Sequence, residues 1–192
     1  MRCIFFRLLV NNHWKEAFMF KIGDIIIYGS QGACRVEDIG VPDISGIIQG
    51  KLYYTLSPIF VDGKIFIPVD TTIYMRPIIT KEEAENIITQ IPNIDTGIVE
   101  NQNYKIMEDH YKKLLATHDC MDLILLIKSI YNKQQNVKMQ GKNIGQTDEK
   151  FRKIAEDLLH SEFSIALEIP KSMVSQYIAS SVEQLTKGSL HV

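Results

Sequence analysis

The side chains best suited to chemistry fall in one stretch: His110, His118, Asp119, Cys120 and Asp122. Imidazole, thiolate and carboxylate are the usual ligands of zinc, but a zinc site needs spacings that close around one ion. This set matches no such pattern, and Asp119 has a simpler use as the cap of a helix starting at Cys120. A second stretch, Gly141-Lys142-Asn143-Ile144-Gly145-Gln146-Thr147, superficially resembles a phosphate loop. It lacks the order Gly-x-x-x-x-Gly-Lys-Ser/Thr that brings lysine and hydroxyl onto phosphates, and no strand pattern precedes it. No Gly-x-Ser-x-Gly elbow, cysteine–histidine arrangement or carboxylate pair stands out. The expectation is a protein that is not an enzyme and holds no metal or cofactor. Its rival is a hydrolase built on His110, His118 and Asp119.

The elements around these residues fall into two kinds. From Phe20 to Ile78, apolar and β-branched residues form five short blocks: Asp24–Tyr28, Ala33–Ile39, Leu52–Ser57, Lys64–Val69 and Ile73–Arg76. Turn residues separate them at a spacing near ten, the pattern of a small all-β unit. Five strands in so short a stretch predict a small barrel, which removes exposed edges. Gly23 and Gly32 stand where tight turns want a residue without Cβ. In the third block, alternation puts Tyr53 and Thr55 on one face, and Leu52, Tyr54 and Leu56 on the other. Pro68 falls at a strand end, where a missing N–H is tolerated. Tyr54, Lys64 and Phe66 are candidate partner contacts, since an aromatic beside a lysine on a strand edge can anchor β-type docking.

After Ile79 the pattern is helical. Thr80-Lys81-Glu82-Glu83 reads as a capping box ahead of a short helix carrying Ala84, Ile87, Ile88 and Ile91 and stopping at Pro92. Asn93 to Gln102 reads as a polar connector. Tyr104, Met107, Tyr111 and Leu114 recur at helical spacing to about Ala116, with Lys105, Lys112 and Lys113 off that stripe. A helix follows from Cys120 to about Lys133, and its stretch Leu123 to Ile127 is apolar almost all round, as in a buried helix. Asn132 to Gln146 reads as a linker holding Lys133, Lys138 and Lys142. Thr147 is the expected cap of a long helix with Asp148 and Glu149 in its first turn. A last helix begins near Pro170 and ends at Gly188.

The 192 residues are 45% hydrophobic and 23% charged, which suits a soluble globular chain, and no apolar run approaches a membrane span. Three distant cysteines argue against a disulfide framework and for a reducing, cytoplasmic setting. Residues 1–18, with the sole Trp14, lack the apolar core of a signal peptide and are expected to be an extension upstream of Met19. The net charge of −2 hides an asymmetry: Phe20 to Glu100 holds 6 basic and 11 acidic residues, Lys128 to Lys153 holds 7 and 2. Phosphate binding rests on Lys and Arg, so any DNA contact belongs to the helical part, and the β-module needs a protein partner.

The order Phe20-Lys21-Ile22-Gly23-Asp24, Ile25–Tyr28, Gly32-Ala33, Tyr53-Tyr54-Thr55-Leu56, Ile65-Phe66-Ile67-Pro68 and Asn103-Tyr104 resembles the CarD/CdnL family of bacterial transcription regulators. The resemblance runs from Met19 to about Ser181. It implies a Tudor-like domain that docks on the RNA polymerase β subunit. It also implies a helical domain that contacts promoter DNA at the upstream edge of the melted region and stabilises the open complex. A family tryptophan that wedges into the minor groove falls here on Tyr104, aligned through Leu114-Leu115-Ala116; an aromatic wedge is a known minor-groove device. On residues alone Tyr104 would simply begin the stripe with Met107 and Tyr111. Two departures stand out: family basic positions fall on Ile106, Met107 and Asp109, and a basic position of the polymerase-binding strand falls on Phe66, with Lys64 nearby.

The expected fold is therefore segregated α+β, a five-stranded Tudor-like β-barrel followed by an all-helical domain. The expected domains are an extension (1–18), the barrel (19–78), a capped helix and connector (79–100) and the helical domain (101–188). Expected polymerase-binding residues are Tyr54, Lys64, Phe66 and Pro68. Expected DNA-binding residues are Tyr104, Lys105, Lys112 and Lys113, making weak, non-specific minor-groove contact. The chain is expected to be a monomer associated with the nucleoid through polymerase. The rival is an adaptor with the same two domains that never meets DNA.

Overall fold

The glycine-punctuated apolar blocks do form strands in the computed structural model, which describes residues 20–48, 50–96 and 104–188. The reading of residues 1–18 as an extension lies outside the described residues, as does most of the connector before Tyr104. The strands are β1 (Ile25–Tyr28), β2 (Gly32–Gly40), β3 (Tyr53–Pro58), β4 (Ile65–Pro68) and β5 (Met75–Pro77). They form a five-stranded antiparallel sheet in the order β4-β3-β2-β1-β5. Five helices follow: α1 (Lys81–Gln90), α2 (Tyr104–Ala116), α3 (Cys120–Met139), α4 (Gln146–Ala166) and α5 (Lys171–Gly188). The fold is α+β, with a β domain at the N-terminus and a helical domain at the C-terminus. Among the described residues no helix is long and apolar enough to cross a membrane.

The chain divides into two units, Met1–Ile25 with Cys34–Ile73 and Ile26–Ala33 with Tyr74–Val192. In the first, β3 pairs with β4, and with β2 through a register shift between Val36 and Asp38. Such a bulge bends a strand and increases its twist. Gly23, at φ 95°, closes a turn in which Lys21 N–H donates to the Asp24 carboxylate at 2.8 Å. Gly23 N–H then reaches the Val36 carbonyl at 2.8 Å and seats the chain beside β2. The expected two-faced β3 does not appear: Tyr53, Tyr54, Thr55 and Leu56 are all buried. Both faces of this strand are covered, so alternation of polarity has nothing to report.

The second unit joins the β1–β5 pair to the helices. Its core runs through Ala84, Ile88, Tyr111, Leu126, Ile130, Phe151, Phe163 and Val174. The Thr80–Glu83 capping box forms as expected, with reciprocal bonds of 3.1 Å and 2.8 Å. Two helix boundaries differ from the expectation. α3 does not stop near Lys133 but continues through the supposed linker to Met139. Polarity alone does not end a helix, and Asn132–Met139 contains neither Gly nor Pro. The stop is Gly141 at φ 73°: its N–H bonds Lys138 O and Lys142 N–H bonds Val137 O, both at 2.9 Å, a Schellman closure. Gly145, not Thr147, is the N-cap of α4, which places Thr147 inside the first turn.

Candidate functional site

β4 is an end strand of the sheet. Val69 N–H donates to Leu52 O at 3.0 Å, which fixes Leu52/Val69 and then Tyr54/Ile67 and Leu56/Ile65 as the hydrogen-bonded pairs. Phe66 and Pro68 stand at the alternate positions, so their main-chain groups face away from β3. Proline fits there because the missing donor is one that would have pointed outward. The Pro68 carbonyl accepts Thr71 N–H at 3.0 Å, which leaves Phe66 as the residue of β4 with N–H and C=O both directed at the open edge. The Phe66 ring is half-buried. Lys64 is exposed and pairs with Glu37 at 3.0 Å, and this contact holds the Glu37 carboxyl below its ordinary range.

Tyr54 takes a different place from the one expected. It is 1% exposed, its ring lies against Phe20, and its hydroxyl accepts Phe20 N–H at 3.1 Å. No surface remains for a partner. Tyr54 is a core residue that supports β3, the neighbour of β4; the strand pattern marked it as aromatic without revealing that both faces are covered.

In the helical unit Tyr104 opens α2 and is 62% exposed, whereas Met107, Tyr111 and Leu114 are buried. It therefore stands beyond the stripe it would have begun. Lys105 and Lys113 are exposed, as is Lys112, which pairs with Glu108 at 2.8 Å. Lys105, Glu108 and Lys112 share one face at steps of three and four residues, so carboxylates interleave the lysines. The basic run from Lys128 to Lys153 is also less available than its charge suggests. Lys128 Nζ donates to the carbonyls of Ile91, Pro92 and Ile94 at 2.8, 3.2 and 2.8 Å. Lys133 meets Asp148 at 2.7 Å, Arg152 spans Glu149 and Glu156 at 2.7 Å each, and Lys153 lies 3.5 Å from Glu149. Lys138, Lys142 and Lys150 are exposed.

Three members of the His110–Asp122 stretch make structural contacts. Asp119 caps α3, accepting from Met121 N–H at 2.7 Å and Asp122 N–H at 3.4 Å. The His118 ring stacks on Tyr74 at 5.1 Å, and its carbonyl accepts Arg76 Nη2 at 2.8 Å. Cys120 donates to Glu162 at 3.2 Å. Glu162, 2% exposed, also receives the Arg76 guanidinium fork and Ile79 N–H at 3.0 Å. Burial opposes the charge on Arg76, but the hydrogen bond and charge of Glu162 prevail and hold it protonated. Sequence reading missed this junction, because Arg76 and Glu162 are 86 residues apart and neither sits in a motif. Between α1 and α5 lies a groove of about 500 Å³ edged by Ile88, Tyr177 and Leu185, and it contains none of the expected polymerase- or DNA-binding residues.

Residues 20–79 match the family model described as the CarD-like/TRCF RID domain. The N-terminal part of the chain is thus similar to the CarD-like/TRCF RID domain over 60 of its 192 residues. The match ends at the entrance to α1, so it speaks for β1 to β5 and not for the helices. Among curated proteins none matches the chain.

Proposed function

We propose that this protein regulates transcription by docking on the β subunit of RNA polymerase through the open edge of β4 and contacting promoter DNA with the start of α2. The observation that carries the first half is the CarD-like domain at residues 20–79, whose end strand directs Phe66 outward beside Lys64 and Pro68. Docking of this kind takes affinity from main-chain bonds and specificity from flanking side chains. The second half rests on Tyr104, an aromatic ring 62% exposed at a helix start with Lys105 beside it. Tethering to polymerase raises the local concentration of DNA, so a weak, salt-dependent and sequence-indifferent contact suffices to hold the open complex. The test is co-purification with RNA polymerase: the wild type is retained and Phe66→Ala is lost. A wild type that fails to associate overturns the docking assignment. Tight, sequence-specific binding of the free protein to duplex DNA overturns the tethered-contact model.

A second reading is favoured by one observation. The exposed part of α2 sets Lys105, Lys112 and Lys113 against Glu108 and Asp109, a poor match to phosphates. On this reading the helical unit is an adaptor for another protein, and Tyr104 is that partner's anchor. Salt dependence separates the two, since an apolar anchor does not release counterions.

A further inference from the structure

We infer that the β1–β5 pair folds and unfolds with the helices, locked to them by Glu162, while β3 and β4 open independently of them. The family domain spans residues 20–79, yet Ile26–Ala33 and Tyr74 onward group with the helical unit. Contacts within that unit explain the grouping. Arg76, the central residue of β5, places its guanidinium on the buried Glu162 of α4 and on the carbonyl of His118 just before α3. The same carboxylate takes Ile79 N–H at the entrance to α1 and the Cys120 thiol of α3. Finally, Gly32, the first residue of β2, lies against Leu158 of α4, whose Cδ2 would be at an ordinary contact distance of 3.4 Å from a Cβ there.

Breaking one partner of a buried ion pair strands the other charge, so any opening that separates β5 from α4 is strongly opposed. Opening that takes β5, β1 and the helices together escapes that cost. β3 and β4 have their own ladder, and their buried Tyr54, Leu56 and Ile67 are not members of the helical core. Native proteins open in such contiguous units, each with its own free energy. The strand order on paper is one sheet; its cooperative units divide that sheet in two.

The test is native-state hydrogen exchange on the full chain, comparing wild type with Glu162→Gln. Ladder parity assigns the reporters: Ile27, Gly29 and Arg76 amides for the β1–β5 pair, Tyr54, Leu56, Ile65 and Ile67 amides for β3–β4. The expected result is that Ile27, Gly29 and Arg76 lose protection by about tenfold or more together with amides of α4, while the β3–β4 amides keep theirs. Equal loss in both sets of amides overturns the inference, as does unchanged protection at Ile27 and Gly29. Should Glu162→Gln fail to fold, the reciprocal variant Ile67→Val decides the matter. It should loosen the Tyr54 and Leu56 amides and spare Ile27, Gly29 and Arg76, and a change common to both sets overturns the inference.

Discussion

The Tyr111 hydroxyl donates to Asp148 at 2.9 Å, and the same carboxylate, 6% exposed, receives Lys133 at 2.7 Å. Burial first, then this carboxylate, pushes the Tyr111 hydroxyl above its ordinary value of 10.0. A pKa raised by folding means that the native chain holds its proton longer than the unfolded one. The stabilisation is then complete below pH 10 and declines as pH rises from there towards the folded value. Tyr111→Phe should cost about 1–2 kcal/mol at neutral pH, because Asp148 Oδ1 loses its hydroxyl donor while Lys133 stays on Oδ2, and should flatten the alkaline loss of stability. Urea unfolding at pH 7 and across pH 9 to 11 measures both; an unchanged alkaline slope would show that another group titrates.

Tyr104→Ala should leave stability within about 0.5 kcal/mol of wild type, because the ring is mostly in solvent. Polymerase association should also survive. Open-complex lifetime on a promoter template should fall clearly under the DNA reading. An unaltered lifetime would favour the adaptor.

Lys128→Met removes an ammonium shared by three carbonyls at the end of α1 and its following turn. Carbonyls without their donor cost about 1–3 kcal/mol, offset in part by the methionine's apolar bulk. Thermal unfolding should show a lowered midpoint, while DNA affinity should stay the same. A drop in DNA affinity without loss of stability would mean that Lys128 reaches phosphate instead.

Gly141→Ala forces a Cβ into the left-handed backbone that ends α3. Nothing lies within 4 Å of the added carbon, so the cost is conformational alone, about 1 kcal/mol. Urea unfolding measures this cost, and an unchanged midpoint would remove Gly141 as the stop signal.

What the sequence made legible was local. The strand blocks, the Thr80 capping box and the Asp119 cap depend on neighbours within a few residues, and all three appear where expected. The end of α3 was misplaced because a polar composition looks like a linker, and the decisive residue was a single glycine further on. Tyr54 was misjudged because alternation assumes one wet face. The net charge of the Lys128–Lys153 run overstated its reach, since pairing with Asp148, Glu149, Glu156 and backbone carbonyls is a tertiary matter. Arg76 and Glu162 lay wholly outside what spacing reveals.

Pro68 carries one more implication. With its nitrogen blocked and its carbonyl engaged by Thr71, the outer rim of β4 offers a single peptide unit's worth of pairing, at Phe66. Two copies meeting rim to rim would form at most two hydrogen bonds, too few to seed stacking into fibrils. A genuine partner gains no more from the backbone than a second copy does. Choice of partner at this rim therefore falls to the Phe66 ring and the Lys64 ammonium, and one proline serves as a guard against self-recruitment.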